Sequence, residues 1–193
     1  MNFKQALGIL TFYLLPIILI ALNILAPQLN LLITSGFIAE GLFIIIMFLK
    51  PITVILNSDK LKCLLPYRKE AGVAIFWFAL LHAVGLIFKY KIFDITKYLS
   101  LTSHLLYATL AMIFIIILAI TSNNFSVEKL GLNWKRIQYL AYPALLLTVY
   151  HTSKVANNMK KFYIIGGLFV ILKAIEWSIC ARKACPLPPN PNI

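Results

Sequence analysis

Charged side chains are scarce in this sequence, and acidic ones most of all. Asp, Glu, Lys and Arg make up 12% of the 193 residues, with six acidic residues against 18 Lys and Arg. A soluble domain carries about a quarter charged residues, so an ordinary soluble domain is excluded. The 61% hydrophobic content also excludes intrinsic disorder. The formal charge of +12 alone would allow a nucleic-acid partner. Because a basic nucleic-acid face needs a soluble body behind it, we expect no nucleic acid.

The sequence is also poor in cysteine and in glycine-rich motifs. Cys63, Cys180 and Cys185 form an odd set without zinc-finger spacing. A disulfide-stapled secreted fold is therefore excluded, and three reduced thiols are the expectation. The sequence shows no glycine-rich nucleotide-binding motif, and no Ser–His–Asp arrangement can be argued from it. We therefore predict no catalytic residue in this chain.

Long apolar runs are what the sequence does contain. A membrane span needs about 20 mostly apolar residues, and six stretches approach that length: 6–26, 33–49, 71–88, 102–120, 137–152 and 162–180. The first runs directly into Pro27 without a small-residue cleavage site, so a retained helix is predicted there rather than a signal peptide. We expect an all-α integral membrane bundle of six transmembrane helices, surrounded by membrane lipids, with a single domain over 1–193. Prolines predict a mobile, extended tail at 185–193.

The cations between the stretches predict the orientation of the bundle. Eleven of the 18 fall on the side that holds both termini, six fall on the other side, and Lys173 lies inside the sixth stretch. The side richer in Lys and Arg usually faces the cytoplasm. The N and C termini are therefore predicted to be cytoplasmic, and all three histidines then lie toward the outer side.

Two of these histidines fall inside apolar stretches, where ligand-capable side chains are rare and mark functional sites. His82 lies seven residues before Lys89 and His151 three before Lys154, which places them roughly 10 Å and 5 Å from the outer ends of their helices. Two imidazoles at similar depth predict axial ligation of a heme iron. The alternative is a pair of interhelical hydrogen bonds without a cofactor. His104 is interpreted as a residue at the membrane–water interface, and as the heme ligand that would replace His82 or His151 if either does not bind.

Only two carboxylates lie within the stretches. Glu176 follows Lys173 by three residues, a spacing that predicts an ion pair on one helix face. Glu40 is a candidate proton relay or a partner for a histidine N–H.

Several motifs resemble the ferric-reductase-like transmembrane superfamily, and within it most closely the heme-binding membrane subunits of bacterial protein-methionine-sulfoxide reductase systems. They are TSG and KPI in the second stretch, Arg68-Lys69 with Gly72, FALLHAVGLIFKY around His82, Thr121-Ser122 with Leu130-Gly131 and Trp134, and RIQYLAYPALLLTVYH ending at His151. Each motif alone would be weak, but together they extend over most of the chain with similar spacing.

This resemblance implies six helices in a bacterial inner (cytoplasmic) membrane and a b-type heme. It implies an electron-transfer subunit rather than a complete enzyme. Electrons would pass from a quinol or a cytoplasmic flavin reductase to a periplasmic, molybdenum-containing methionine sulfoxide reductase. Flavin mononucleotide is an optional second cofactor in this interpretation.

One position departs from the family pattern. Gln138 stands where the family places a further histidine, 13 residues before His151, and glutamine is not a usual heme ligand. Pro143 lies between the two positions and is expected to bend the helix. The sequence therefore predicts one heme, on the outer side, held by His82 and His151. The alternative hypothesis is a membrane scaffold or small carrier without a redox cofactor.

Overall fold

The computed structural model describes residues 6, 8, 10–25, 31–90 and 104–183. The predicted tail at 185–193, the residues around Pro27 and the loop cations Lys91 and Lys97 lie outside the described residues.

All regular structure in the described part of the chain is helical, as predicted. A π-helical turn, Leu10–Leu14, leads into α1 (Leu15–Leu25). The other long helices are α2 (Leu31–Leu56), α3 (Arg68–Tyr90), α4 (His104–Ile120), α5 (Ala141–Val155) and α6 (Met159–Lys183). Four short helical segments fill the connections: Asp59–Lys62, Leu65–Tyr67, Asn124–Leu130 and Leu132–Gln138.

The length of these helices supports only part of the six-span prediction. Within the described residues, three helical segments are long and apolar enough to cross a bilayer: Leu31–Leu56, Asp59–Tyr90 and Met159–Ala181. A fourth is reached if α4 and Asn124–Leu130, which meet at 90°, count as one broken span. With 17 residues, α4 is about 25 Å long. With 15 residues, α5 is about 22 Å long. Both are shorter than the ~30 Å hydrocarbon core.

The second helix extends beyond the predicted stretch 33–49, because α2 continues through Pro51 to Leu56. Lys50 lies within this helix, and its charge is paired with a carboxylate of α6. Pro51 removes one backbone hydrogen bond, yet it is buried among packed neighbours. The helix ends at Leu56, and the next residue, Asn57, has a φ of 46°, the left-handed conformation typical of the residue after a helix C-terminus.

The predicted fifth span is divided in two. Leu132–Gln138 ends at Gln138, and α5 begins at Ala141. The ring of Pro143 would clash with the carbonyl four residues earlier, that of Tyr139, if the helix were continuous. The N–H groups of Tyr139, Leu140 and Tyr142 accordingly bond to carbonyls only three residues back. Gln138 and His151 therefore do not share one helix.

The long helices pack around a core that α2 to α6 all supply. α2 packs chiefly on α3 and α4 on α5, while α6 contacts both α2 and α5. The buried members are Ala39, Phe43, Met47, Phe48, Ile75, Ile115, Ala144, Leu145, Val149 and Phe169. Large apolar side chains also point outward, such as Ile45 at 62% exposure and Ile164 at 67%. In a bilayer these side chains contact lipid instead of water.

The cysteines differ from the expectation at one position. Cys63 is free and exposed, as predicted. Cys180 is disulfide-bonded, so the prediction of three reduced thiols is wrong there.

Candidate functional site

The three histidines lie at one end of the bundle, because α2 and α4 begin there while α3 and α5 end there. We call the group formed by Leu32, Gly36, His82, His104 and His151 the histidine end. The sequence prediction that the histidines lie at similar depth agrees with this arrangement.

His82 is held by two residues of the first turns of α2. Its Nδ1 lies 2.7 Å from the carbonyl oxygen of Leu32. The ring rests against Gly36, where a Cβ would come within 2.6 Å of Nδ1 and 2.8 Å of Cε1. A Cβ on Gly85 would likewise collide with the side chain of Leu32. Glycine at these two positions therefore leaves the His82 ring and the Leu32 side chain the space that they occupy.

His151 is held in the same manner by α4. Its Nδ1 lies 3.0 Å from the backbone carbonyl oxygen of His104. The two imidazole rings are 5.6 Å apart between centroids and tilted by 30°. The ring of His104 is exposed, so its backbone, and not its imidazole, positions His151. His82 also lies within electrostatic range of His151.

These contacts decide which ring nitrogen is available. A backbone carbonyl can only accept a hydrogen bond, so Nδ1 carries the proton in both His82 and His151. Nε2 then keeps its lone pair in both rings. Metal-ligating histidines commonly donate their other N–H to a backbone carbonyl, which fixes the tautomer and the ring orientation. Neither Nε2 has a hydrogen-bond partner among the described residues. The pair can therefore offer two nitrogen ligands to a metal.

The described residues contain no cluster of three or more His, Cys, Asp and Glu side chains that could hold a metal ion. Structural and catalytic zinc need three or four protein ligands. Two histidines are the number of axial ligands in a heme, since the porphyrin occupies the other positions. The donor set therefore fits heme iron better than a bare metal ion.

A buried ion pair lies beside His151. Glu40 of α2 is 3% exposed, and its Oε2 is 2.7 Å from Nζ of Lys161 at the start of α6. Thr152 of α5 donates its hydroxyl to Oε1 of Glu40 at 2.7 Å. Glu40 therefore ties three helices together next to the histidine end. The hypothesis that it accepts a histidine N–H is wrong for the described residues, because its two oxygens contact Thr152 and Lys161 instead.

Sequence reasoning missed the partners of these groups. Lys161 was counted only as a loop cation, although the predicted topology already placed it at the same end as Glu40. The carbonyls of Leu32 and His104 carry no sequence signal, because every residue has one.

Gln138 lies at the opposite end of the bundle and has a different partner. Its Nε2 donates to the hydroxyl of Thr121 at 3.2 Å. Trp134 donates its indole N–H to the backbone carbonyl of the same threonine at 2.9 Å. These bonds anchor Leu132–Gln138 to the end of α4, so Gln138 has a structural role there.

Comparison with known families agrees with this architecture. The family model for the ferric reductase like transmembrane component matches residues 7–149. The chain belongs to the ferric reductase-like transmembrane family. This confirms the predicted resemblance and makes the chain a multi-pass membrane protein. The match includes His82 and His104, and it ends two residues before His151.

Curated relatives are named protein-methionine-sulfoxide reductase heme-binding subunit MsrQ. The protein from Agrobacterium fabrum is 27% identical over 131 residues, which cover 62% of this chain and 59% of the relative. Those from Brucella ovis and Brucella canis are each 32% identical over 95 residues, covering 46% of this chain and 41% of the relative. The chain thus matches about half of the length of these relatives. No solved structure matches it.

Proposed function

We propose that this chain is a heme-binding electron-transfer subunit of a membrane oxidoreductase. The observation that carries the proposal is the shared geometry of His82 and His151. Each donates Nδ1–H to a carbonyl of a neighbouring helix and leaves Nε2 open. The names of the relatives support heme as the group that these nitrogens hold.

The Nε2 atoms of His82 and His151 would hold the iron of one b-type heme, which supplies a one-electron carrier when bound. The protein fixes both imidazoles before the heme enters, because their tautomers are set by backbone contacts. Because Gly36 has no side chain, the His82 ring can pack directly against α2. The bonds of Gln138 to Thr121 support a single heme, since the opposite end then lacks a histidine ligand.

The orientation and the partners complete the proposal. The histidine end faces the periplasm of a bacterial inner membrane, as the loop cations indicate. Electrons enter from a quinol or a cytoplasmic flavin reductase, and they leave to a periplasmic reductase that repairs methionine sulfoxide. The relatives' names support this acceptor.

An absorbance experiment tests the ligand assignment. Purified protein from heme-replete cells should show a Soret band and about one heme per chain. His82→Ala and His151→Ala should each lose the band. His104→Ala should keep it, because alanine retains the backbone carbonyl that positions His151. A colourless wild-type protein would instead support a scaffold or carrier without a cofactor, and two hemes per chain would contradict the role given to Gln138.

A further inference from the structure

The end of the bundle opposite the histidines carries more positive than negative charge. We call Lys50, Arg68, Tyr142, Lys173 and Glu176 the basic cluster. Lys50 of α2 lies 3.1 Å from Oε1 of Glu176, and Lys173 lies 2.7 Å from Oε2. Lys173 also lies over the ring of Tyr142, 5.3 Å from its centroid. The only carboxylate of the cluster is thus occupied at both oxygens by two cations.

Arg68 is the third cation of the cluster, and it has no anion. Its Nε is buried without a hydrogen-bond partner, and it forms no hydrogen bond or ion pair with another described residue. Glu176 and Tyr142 lie within electrostatic range of it but outside bonding distance. A buried guanidinium N–H without a hydrogen-bond partner is unfavourable. The geometry therefore calls for an anionic group beside Arg68.

Open space borders this face of α3. Gly72 follows Arg68 by four residues and so lies on the same face of α3. A Cβ built on Gly72 would meet no atom within 4 Å. The Lys50 side chain is 46% exposed, so the cluster opens to the surface. Glu70 lies about 200° around the helix from Arg68, and it is not among the charges that act on Arg68.

We propose that Arg68, with Lys50 and Lys173, forms a binding site for a phosphate group at this end of the bundle. The three cations come from three helices and, together with Glu176, leave a net charge of +2 that is opposite in sign to a phosphate, whose oxygens suit the guanidinium fork. Two sources can supply this group: an anionic phospholipid, whose headgroups lie at the ends of membrane helices, and a free phosphate compound. The site is independent of the heme assignment, because it shares no residue with the histidine end.

Ligand-dependent thermal stability of the purified full chain tests the site. The probes are phosphatidylglycerol, phosphatidylcholine, flavin mononucleotide and inorganic phosphate, each added in detergent to wild type, Arg68→Ala and Arg68→Lys. Lys60→Ala is the matched control, since Lys60 is an exposed cation outside the cluster. Elution volume on size exclusion, and heme absorbance where heme is present, establish that each variant is folded.

Phosphatidylglycerol should raise the unfolding midpoint of wild type by about 3 °C or more over phosphatidylcholine. Arg68→Ala should bind it roughly tenfold more weakly, Arg68→Lys should be intermediate, and Lys60→Ala should match wild type. If flavin mononucleotide stabilises wild type, phosphatidylglycerol does not, and Arg68→Ala abolishes the effect, the site binds a nucleotide phosphate and not a lipid headgroup. If no phosphate compound stabilises wild type, or all variants respond equally, the proposal is overturned.

Discussion

Replacing Gly36 by alanine gives a sharp test of how His82 is positioned. The added Cβ would lie 2.6 Å from Nδ1, 2.8 Å from Cε1 and 3.0 Å from Cγ of the imidazole. All three distances are shorter than or at the limit of real carbon contacts. The ring has to move, and Nδ1 moves away from the Leu32 carbonyl that it contacts at 2.7 Å.

The size of the effect follows from these contacts. Overpacking by one methyl group typically destabilises a core by about 1–3 kcal/mol, and the lost hydrogen bond adds about 1 kcal/mol. Together they predict a fall of roughly 5–10 °C in the unfolding midpoint. Loss of the group that orients a metal-ligating histidine weakens metal binding by about 10- to 100-fold. We therefore expect substoichiometric heme in Gly36→Ala.

The chain provides a matched control on the same helix. A Cβ on Gly41 would meet nothing within 4 Å, so Gly41→Ala should keep the wild-type heme content and should not lower the midpoint, since alanine favours the helix over glycine. The assay is heme per chain from the reduced-minus-oxidised absorbance spectrum, together with a thermal melt. Full heme occupancy in Gly36→Ala, or equal losses in both variants, would refute the positioning argument.

Three further predictions concern the other polar contacts. Glu40→Gln should lower the free energy of unfolding by about 3 kcal/mol. This value is the low end of the range for breaking a buried ion pair, since the partner Lys161 is 31% exposed. Asp59→Asn should leave the unfolding midpoint at the wild-type value in the same thermal or denaturant assay, since Asp59 is 92% exposed. Gln138→Ala should keep the heme spectrum. It should lower the free energy of unfolding by only about 1 kcal/mol, which is the contribution of the hydrogen bond to Thr121. A lost Soret band in Gln138→Ala would mean that it acts at the heme.

Proline illustrates how far the sequence predicts the fold. Pro143 was expected to disturb its helix, and the chain does break four residues before it. Pro51 has the same missing N–H, yet α2 continues through it. The difference lies in packing, because Pro51 is buried and Lys50 beside it is paired with Glu176 on another helix. A rule based on neighbouring residues cannot predict an ion pair with a residue on another helix.

Local spacing was sufficient where the partners lie on one helix. Lys173 and Glu176 are three residues apart, and their predicted ion pair is confirmed at 2.7 Å. The prediction did not include Lys50, the second partner of Glu176, which lies more than 120 residues away in the chain.

The sequence by itself determined the helical membrane class, the family and the common end of the three histidines, because apolar runs and their cationic flanks are local properties of the chain. Only the tertiary structure decided what holds those histidines. The carbonyls of Leu32 and His104 lie 50 and 47 residues from the rings that they orient. Every residue carries such a carbonyl, so only the packing of α2 on α3 and of α4 on α5 selects these two.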